Sequence, residues 1–347
     1  MRLPAKRTLG GFLFAQLVAA QTASYTITDL GTLGGPDNSS GAQAINNAGQ
    51  VAGSSNAGFR VTRAFLWQGP ESGLQDLGTL GGFTTAASGV NNRGQVAGSA
   101  VNDGRYRVFL WQDGAMQNLG GLSGGDAFAY ALNDNATIIG EARTSGGATH
   151  PFLCKDGVMV DLFDGMESPA REVLYGIAYA VNNNDVVVGS ANPPDGSFNT
   201  AFLWKDGKWR NLGTLGGANS WAMAINHSEV VAGFSAGSSG QRAFRWDERD
   251  GMKDLGTLGG NASTAYGINS GGAIVGVAAN SSGQTRASLW LPEGGAMKIY
   301  DLNSLIPPGS GWTLTLARAV NDSGQIVGSG RIGTATHAFR LDPAPRK

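Results

Sequence analysis

"DLGTLGG" occupies residues 29–35, returns unchanged at 76–82 and 254–260, and stands once more as "NLGTLGG" at 211–217. A glycine-rich turn of this kind can cradle a phosphate, but one phosphate needs one cradle. A phosphate loop also needs a following helix whose N-terminus faces the anion, and no helix is suggested after any copy. The heptapeptide is therefore a building unit, a turn that joins one strand to the next.

Three further signatures repeat in step with it. A pattern Ala-x-[Ala/Gly]-[Ile/Val/Leu]-Asn ends at Asn46, Asn91, Asn133, Asn182, Asn226, Asn269 and Asn321. Seven residues after each stands a glycine: Gly53, Gly98, Gly140, Gly189, Gly233, Gly276 and Gly328. Variants of "AFLW" begin at Ala64, Val108, Pro151, Ala201, Ala243, Ala287 and Ala338. The DLG position itself falls at Asp29, Asp76, Asn118, Asp161, Asn211, Asp254 and Asp301, at steps of 42 to 50 residues. Such a step suits a four-stranded propeller blade. "AQAIN" reads as the first strand, turning at "NNAGQ". "QVAGS" and "RAFLW" give the second and third, and a hairpin such as "WQDGAM" leads into the fourth.

The two ends decide between an open stack and a ring. "SYTITDLGTLGG" (24–35) is a fourth strand with no first three before it, and 317–341 supplies strands one to three with no fourth. Together they make one blade. Pairing them closes the circle and removes exposed edges. The expected fold is all-β: a seven-bladed β-propeller of four-stranded blades, closed by the N-terminal strand in the last blade. Residues 21–343 form one domain, followed by a short tail at 344–347.

At 347 residues, with 55 glycines and only 15% charged residues, the chain suits many tight turns and excludes a helical protein. No Gly-X-Y period is present, which excludes collagen. A net charge of −1 without a basic run excludes nucleic acid as a partner. "MRLPAKR" followed by "TLGGFLFAQLVAA" has the form of a secretory signal, expected to be cleaved near Ala20 and too short to span a bilayer. The mature chain is then secreted or held in the cell envelope, with no membrane span. With Cys154 as the single cysteine, no internal disulfide is expected and that thiol reads as a small core residue.

The "HAF" of His337–Phe339, the "AFLW" variants, "DLGTLGG" and the "GQIVG"-type strands resemble the HAF repeats of predicted extracellular bacterial proteins. The resemblance covers nearly the whole expected mature chain and implies export and a repeat architecture. It implies no reaction, so no functional residue is carried over.

Residue types found in most blades are scaffold, because a single site does not need seven copies. The position before "AFLW" is basic in six blades (Arg63, Arg107, His150, Arg242, Arg286, His337) and is expected to pair within each blade with the Asp or Asn of the DLG motif. Neither a metal nor another cofactor is suggested, and no catalytic constellation can be assembled. Function is expected where the repeat breaks. Asp76 to Asn91 spans 15 positions, but Asp161 to Asn182 spans 21 and Asp301 to Asn321 spans 20. These long loops join strand four to the next strand one on one face of the disc. The variable strand-one position, three before each motif Asn, carries Gln43, Ser88, Tyr130, Tyr179, Met223, Tyr266 and Arg318. The candidate ligand-binding residues are Tyr130, Arg171, Glu172, Tyr179, Trp221, Tyr266, Trp312 and Arg318, since aromatics beside a few polar groups suit sugars or peptides. The leading expectation is a non-catalytic binding module for an extracellular glycan or peptide. The rivals are a glycan hydrolase or lyase, using Asp37, Asp126, Asp164, Glu167 or Glu172, and a structural repeat of an envelope or matrix assembly.

Overall fold

A computed structural model describes residues 25–35, 38–164, 175–192, 199–238 and 240–345. They form seven four-stranded antiparallel sheets. Blades one to six span residues 40–76, 85–120, 127–161, 176–213, 216–254 and 259–301. Blade seven takes its first three strands from 312–343 and its fourth from Tyr25–Gly31. Its first strand packs on that of blade one, so the ring is closed. The chain is a seven-bladed β-propeller.

Closure runs through the strand that the split repeat singles out. Tyr25 lies opposite Pro343 and Ile27 opposite Leu341, with the pairing reaching Gly31 opposite Ala338. Tyr25 is 2% exposed and its N–H donates to the Leu305 carbonyl at 2.8 Å. Burying a ring of that size contributes on the order of 2 kcal/mol.

The sheets bury themselves against each other, because a lone blade has two apolar faces and no core. Ala52, Ala64 and Leu66 of blade one meet Ala87, Val96, Phe109 and Trp111 of blade two in one buried cluster. Cys154 lies in the equivalent layer with Ile138 and Phe152, and burial pushes its thiol up to about 11.

The DLG turn has a side-chain origin. The Asp or Asn oxygen accepts from the N–H two residues on in all seven copies, at 2.7 to 2.9 Å. In blade one the turn ends on Gly78, whose φ of +85° only glycine adopts without strain. The same carboxylates face the basic residue on strand three. Arg63–Asp76, His150–Asp161, Arg242–Asp254, Arg286–Asp301 and His337–Asp29 lie 2.7 to 3.7 Å apart. In blade two the DLG position is Asn118, and Arg107 donates instead to the carbonyls of Gly124 and Gly125.

Candidate ligand-binding channel

Strand one of every blade lies next to the axis, and in every blade its register against strand two slips by one residue. In blade one, Ala42 faces Gly53 and Ala44 faces Ala52, so Gln43 is left over. The leftover residues of blades two to seven are Ser88, Tyr130, Tyr179, Met223, Tyr266 and Arg318. The variable position of the repeat is thus a β-bulge, which bends the strand and frees one side chain from the ladder.

The bulge also explains the recurring glycine. A Cβ built on Gly53 would lie 2.1 Å from the Gly41 carbonyl oxygen, and one on Gly328 would lie 1.9 Å from that of Leu316. In each blade the colliding carbonyl belongs to the residue two before the bulge. The kink drives that carbonyl over the second strand, and only a residue without a side chain fits beneath it.

Five bulged residues come together. The Arg318 Nε donates to Gln43 Oε1 at 3.0 Å, and its guanidinium lies 4.9 Å from the centre of the Tyr266 ring. Burial lowers the Arg318 pKa, while the hydroxyls of Tyr266, Tyr130 and Tyr179 are near enough to act on it. The Tyr130 and Tyr179 rings are 5.6 Å apart and tilted by 51°. Tyr130 donates its hydroxyl proton to Glu141 Oε1 at 3.2 Å. Burial raises both phenols, and Glu141 adds to the effect. Burial also raises Glu141, against the opposing pull of the Tyr130 hydrogen bond and Arg143. Among the described residues, no carboxylate pairs with Arg318.

The other expected site residues are placed differently. Trp221 stacks on Phe234 of the next strand at 4.7 Å and 17°. Trp312 sets its edge against Phe339 at 6.1 Å and packs on the core of blade seven. Arg171 and Glu172 lie outside the described residues, as do Asp37 and Glu167. Of the remaining rival carboxylates, Asp126 accepts from the Tyr106 N–H at 2.9 Å, holding a loop in place. Glu141 was missed from sequence. Glu141 follows the repeat glycine of blade three, where other blades carry Ser54, Ser99, Ser190, Phe234, Val277 and Ser329. A single acid in an otherwise uncharged column was the available signal.

The opposite mouth, at the strand one-to-two turns, is built by repetition. Each motif Asn Nδ2 donates to the carbonyl of the motif Asn in the next blade, from Asn46 round to Asn321 and back to Asn46, at 2.9 to 3.2 Å. Each Oδ1 accepts from the N–H four residues on, holding its own turn. Only an amide offers a donor and an acceptor at that reach; aspartate has no donor. A cavity of about 210 Å³ opens here. Its apolar floor includes Ile45, Val90 and Leu132, and no bulged residue lines it. On the rim, Asp134 is held below its usual range: burial opposes this, but hydrogen bonds from the backbone and amide of Asn92 and from Asn183 prevail.

No protein-family model matches the chain, and no curated protein is similar to it in sequence. Solved structures are similar in fold. YCF48 bound to D1 peptide matches with a TM-score of 0.53 and 12% identity, over 95% of this chain and 97% of that one. A puromycin-hydrolysing peptidase from Mycobacterium tuberculosis gives 0.55 and 13%, over 89% of this chain and 52% of its own. TolB from Acinetobacter baumannii gives 0.42 and 13%, over 73% and 64%. The chain thus spans about half of the peptidase and under two thirds of TolB. At such identities the likeness concerns the β-propeller fold alone.

Proposed function

We propose that this chain is a non-catalytic binding propeller of the HAF-repeat type, acting outside the cytoplasm, which receives a peptide in its axial channel from the face of the strand four-to-one loops. The observation that carries the reading is the group formed by Arg318, Tyr266, Tyr130 and Tyr179 at a position where the seven blades differ. Scaffold repeats; a recognition surface does not have to.

Between the two ligand classes left open by the sequence, the chemistry of the walls favours a peptide. A sugar needs a polar partner for each hydroxyl. Here Gln43 is engaged by Arg318, Glu141 by Tyr130, and the Ser88 hydroxyl by the Ala97 carbonyl. Met223 adds an apolar surface. Phenol rings and a thioether suit the apolar and aromatic side chains of a peptide.

The hydrolase or lyase reading retains one supporting observation, the half-buried Glu141 with its raised pKa. Glycosidases use two carboxyl groups across the scissile bond, and Glu141 has no such partner among the described residues close to it.

A random hexapeptide pool and a glycan array, each probed with the protein, test the proposal. Retained peptides that Tyr179→Ala releases while melting as the parent does are the expected result. Retention of glycans alone, or turnover of a glycan, would overturn it.

A further inference from the structure

Arg318 is the feature that the scaffold does not explain. The residue is half-buried, and its guanidinium carries five N–H donors, of which the Nε–H is engaged by Gln43. The Nη groups have no protein acceptor among the described residues, and they are not sealed off, since the buried atoms lacking partners do not include them. Taking a cation out of water is costly unless it gains a partner. The other arginines of the repeat lie on strand three and have carboxylate or carbonyl acceptors, as Arg63 and Arg107 show. At the bulge of blade seven the cation meets rings: the Tyr266 face and, further off, the phenols of Tyr130 and Tyr179. A ring face holds a guanidinium in a fixed plane and leaves its fork free.

The fork has a direction of approach. Strand one begins at the four-to-one face, and in blade four Tyr175, 38% exposed, stands four residues before Tyr179. Four residues of strand amount to roughly 13 Å at about 3.3 Å each, so the bulge level lies three to four residues of extended peptide below the lip. At the opposite mouth, the lining of the cavity includes no bulged residue. A peptide entering from the four-to-one face therefore presents its end, and not its middle, to Arg318.

Resting on the peptide-binding reading above, we infer that Arg318 is the receptor for the free C-terminal carboxylate of the bound peptide. The two carboxylate oxygens match the two Nη–H groups of the fork, a bidentate charge-assisted pair. Gln43 and Tyr266 fix the plane in which it forms.

The probe is a random hexapeptide pool made twice, once with free C-termini and once amidated, bound to the full chain. A hydrogen bond to a charged group contributes about 1.5–3 kcal/mol, so peptides selected from the free pool should lose roughly 10- to 100-fold in affinity when amidated. Arg318→Met removes a half-buried charge and keeps the apolar stem, and it should melt at or above the parent temperature while binding both forms alike. Arg318→Lys, which keeps the charge without the fork, should retain part of the preference. Equal binding of free and amidated peptides by the parent protein overturns the carboxylate assignment and leaves the peptide reading standing. A preference that persists in Arg318→Met overturns the role of Arg318. No binding from either pool, with the parent folded, overturns the peptide reading itself and this inference with it.

Discussion

Two levels of the same strand, three residues apart, follow opposite rules. At the turn, all seven blades present asparagine, and each side chain donates to the main-chain carbonyl of the next, closing one hydrogen-bonded ring. At the bulge, the blades present glutamine, serine, methionine, arginine and three tyrosines. The backbone is alike at both levels. A side chain that must satisfy its neighbour's carbonyl has one solution, whereas a side chain released into the channel is constrained only by what fills that space. Constancy marks where the ring is held together, and variation marks where it can discriminate.

The comparison breaks first if the ring does not depend on being closed. Deleting Tyr25–Gly31 removes the fourth strand of blade seven and bares the edge of its third. The truncated chain is expected to aggregate or to lose its cooperative transition, as followed by light scattering and thermal unfolding. A soluble monomer melting like the parent would falsify closure by this strand.

Next in size is the glycine beneath the bulge. Gly328→Ala sets a methyl against the Leu316 carbonyl, where rigid backbone leaves a separation of 1.9 Å. A loss of about 3 kcal/mol or more is expected in urea denaturation. Gly41 is the control, since a Cβ there meets nothing within 4 Å. Gly41→Ala should lie within about 0.5 kcal/mol of the parent, on the stable side if the chain loses unfolded-state entropy. Equal effects at the two sites would mean that the bulge geometry does not set the glycine.

Blade number, four-strand repeat and closure were legible in the sequence because each rests on counting. The ion pairs were legible for the same reason, but their limit was not: a pair was expected within each blade, whereas Asn118 offers no carboxylate and Arg107 turns to main-chain carbonyls. The bulge was not legible. An extra residue in strand one leaves the spacing of the repeat unchanged, so "AQAIN" reads equally well as regular alternation. Without the bulge, Gly53 has no evident purpose, and the motif Asn reads as an ordinary turn residue when it also links neighbouring blades. Trp312 was singled out by its proximity in sequence to Arg318; six residues along the strand, it is partly buried and packs against Phe339.

Removing one link of the asparagine ring is expected to cost less than the glycine. Asn226→Ala deletes the donor to the Asn269 carbonyl and the acceptor for the N–H groups of Ser228 and Val230. The site is 6% exposed, so the stranded groups are only partly rescued by water. A loss of about 2 kcal/mol is expected, measured as a shift of the urea midpoint at constant slope. Asn226→Asp should fare no better, because a carboxylate would face the Asn269 carbonyl with no proton to give. A neutral Asn226→Asp would show that the ring is geometry without energy.

The smallest expected effect is the most specific, because it has opposite signs at the two levels. Glu141, beside the bulge of Tyr130, has its pKa raised by burial. The folded state therefore holds that proton more firmly than the unfolded state does, so this residue favours folding at low pH. Its contribution declines as pH rises from the unfolded pKa through the folded one. Asp134, on the rim of the asparagine ring, is held below its usual range by its hydrogen bonds to Asn92 and Asn183. Its contribution is present above the unfolded pKa and is lost as pH falls through the folded one. Glu141→Gln should accordingly raise stability at neutral pH, on the order of a few tenths of a kcal/mol since the amide oxygen still accepts from Tyr130, and leave the acid side unchanged. Asp134→Asn should lower stability at neutral pH and converge with the parent as pH falls through the folded-state pKa of Asp134. Urea midpoints collected from pH 3 to 8 for the three proteins measure both slopes. If the two variants tilt the curve the same way, the bulge level is not the desolvated one, and the division between a satisfied scaffold ring and an unsatisfied recognition ring does not hold.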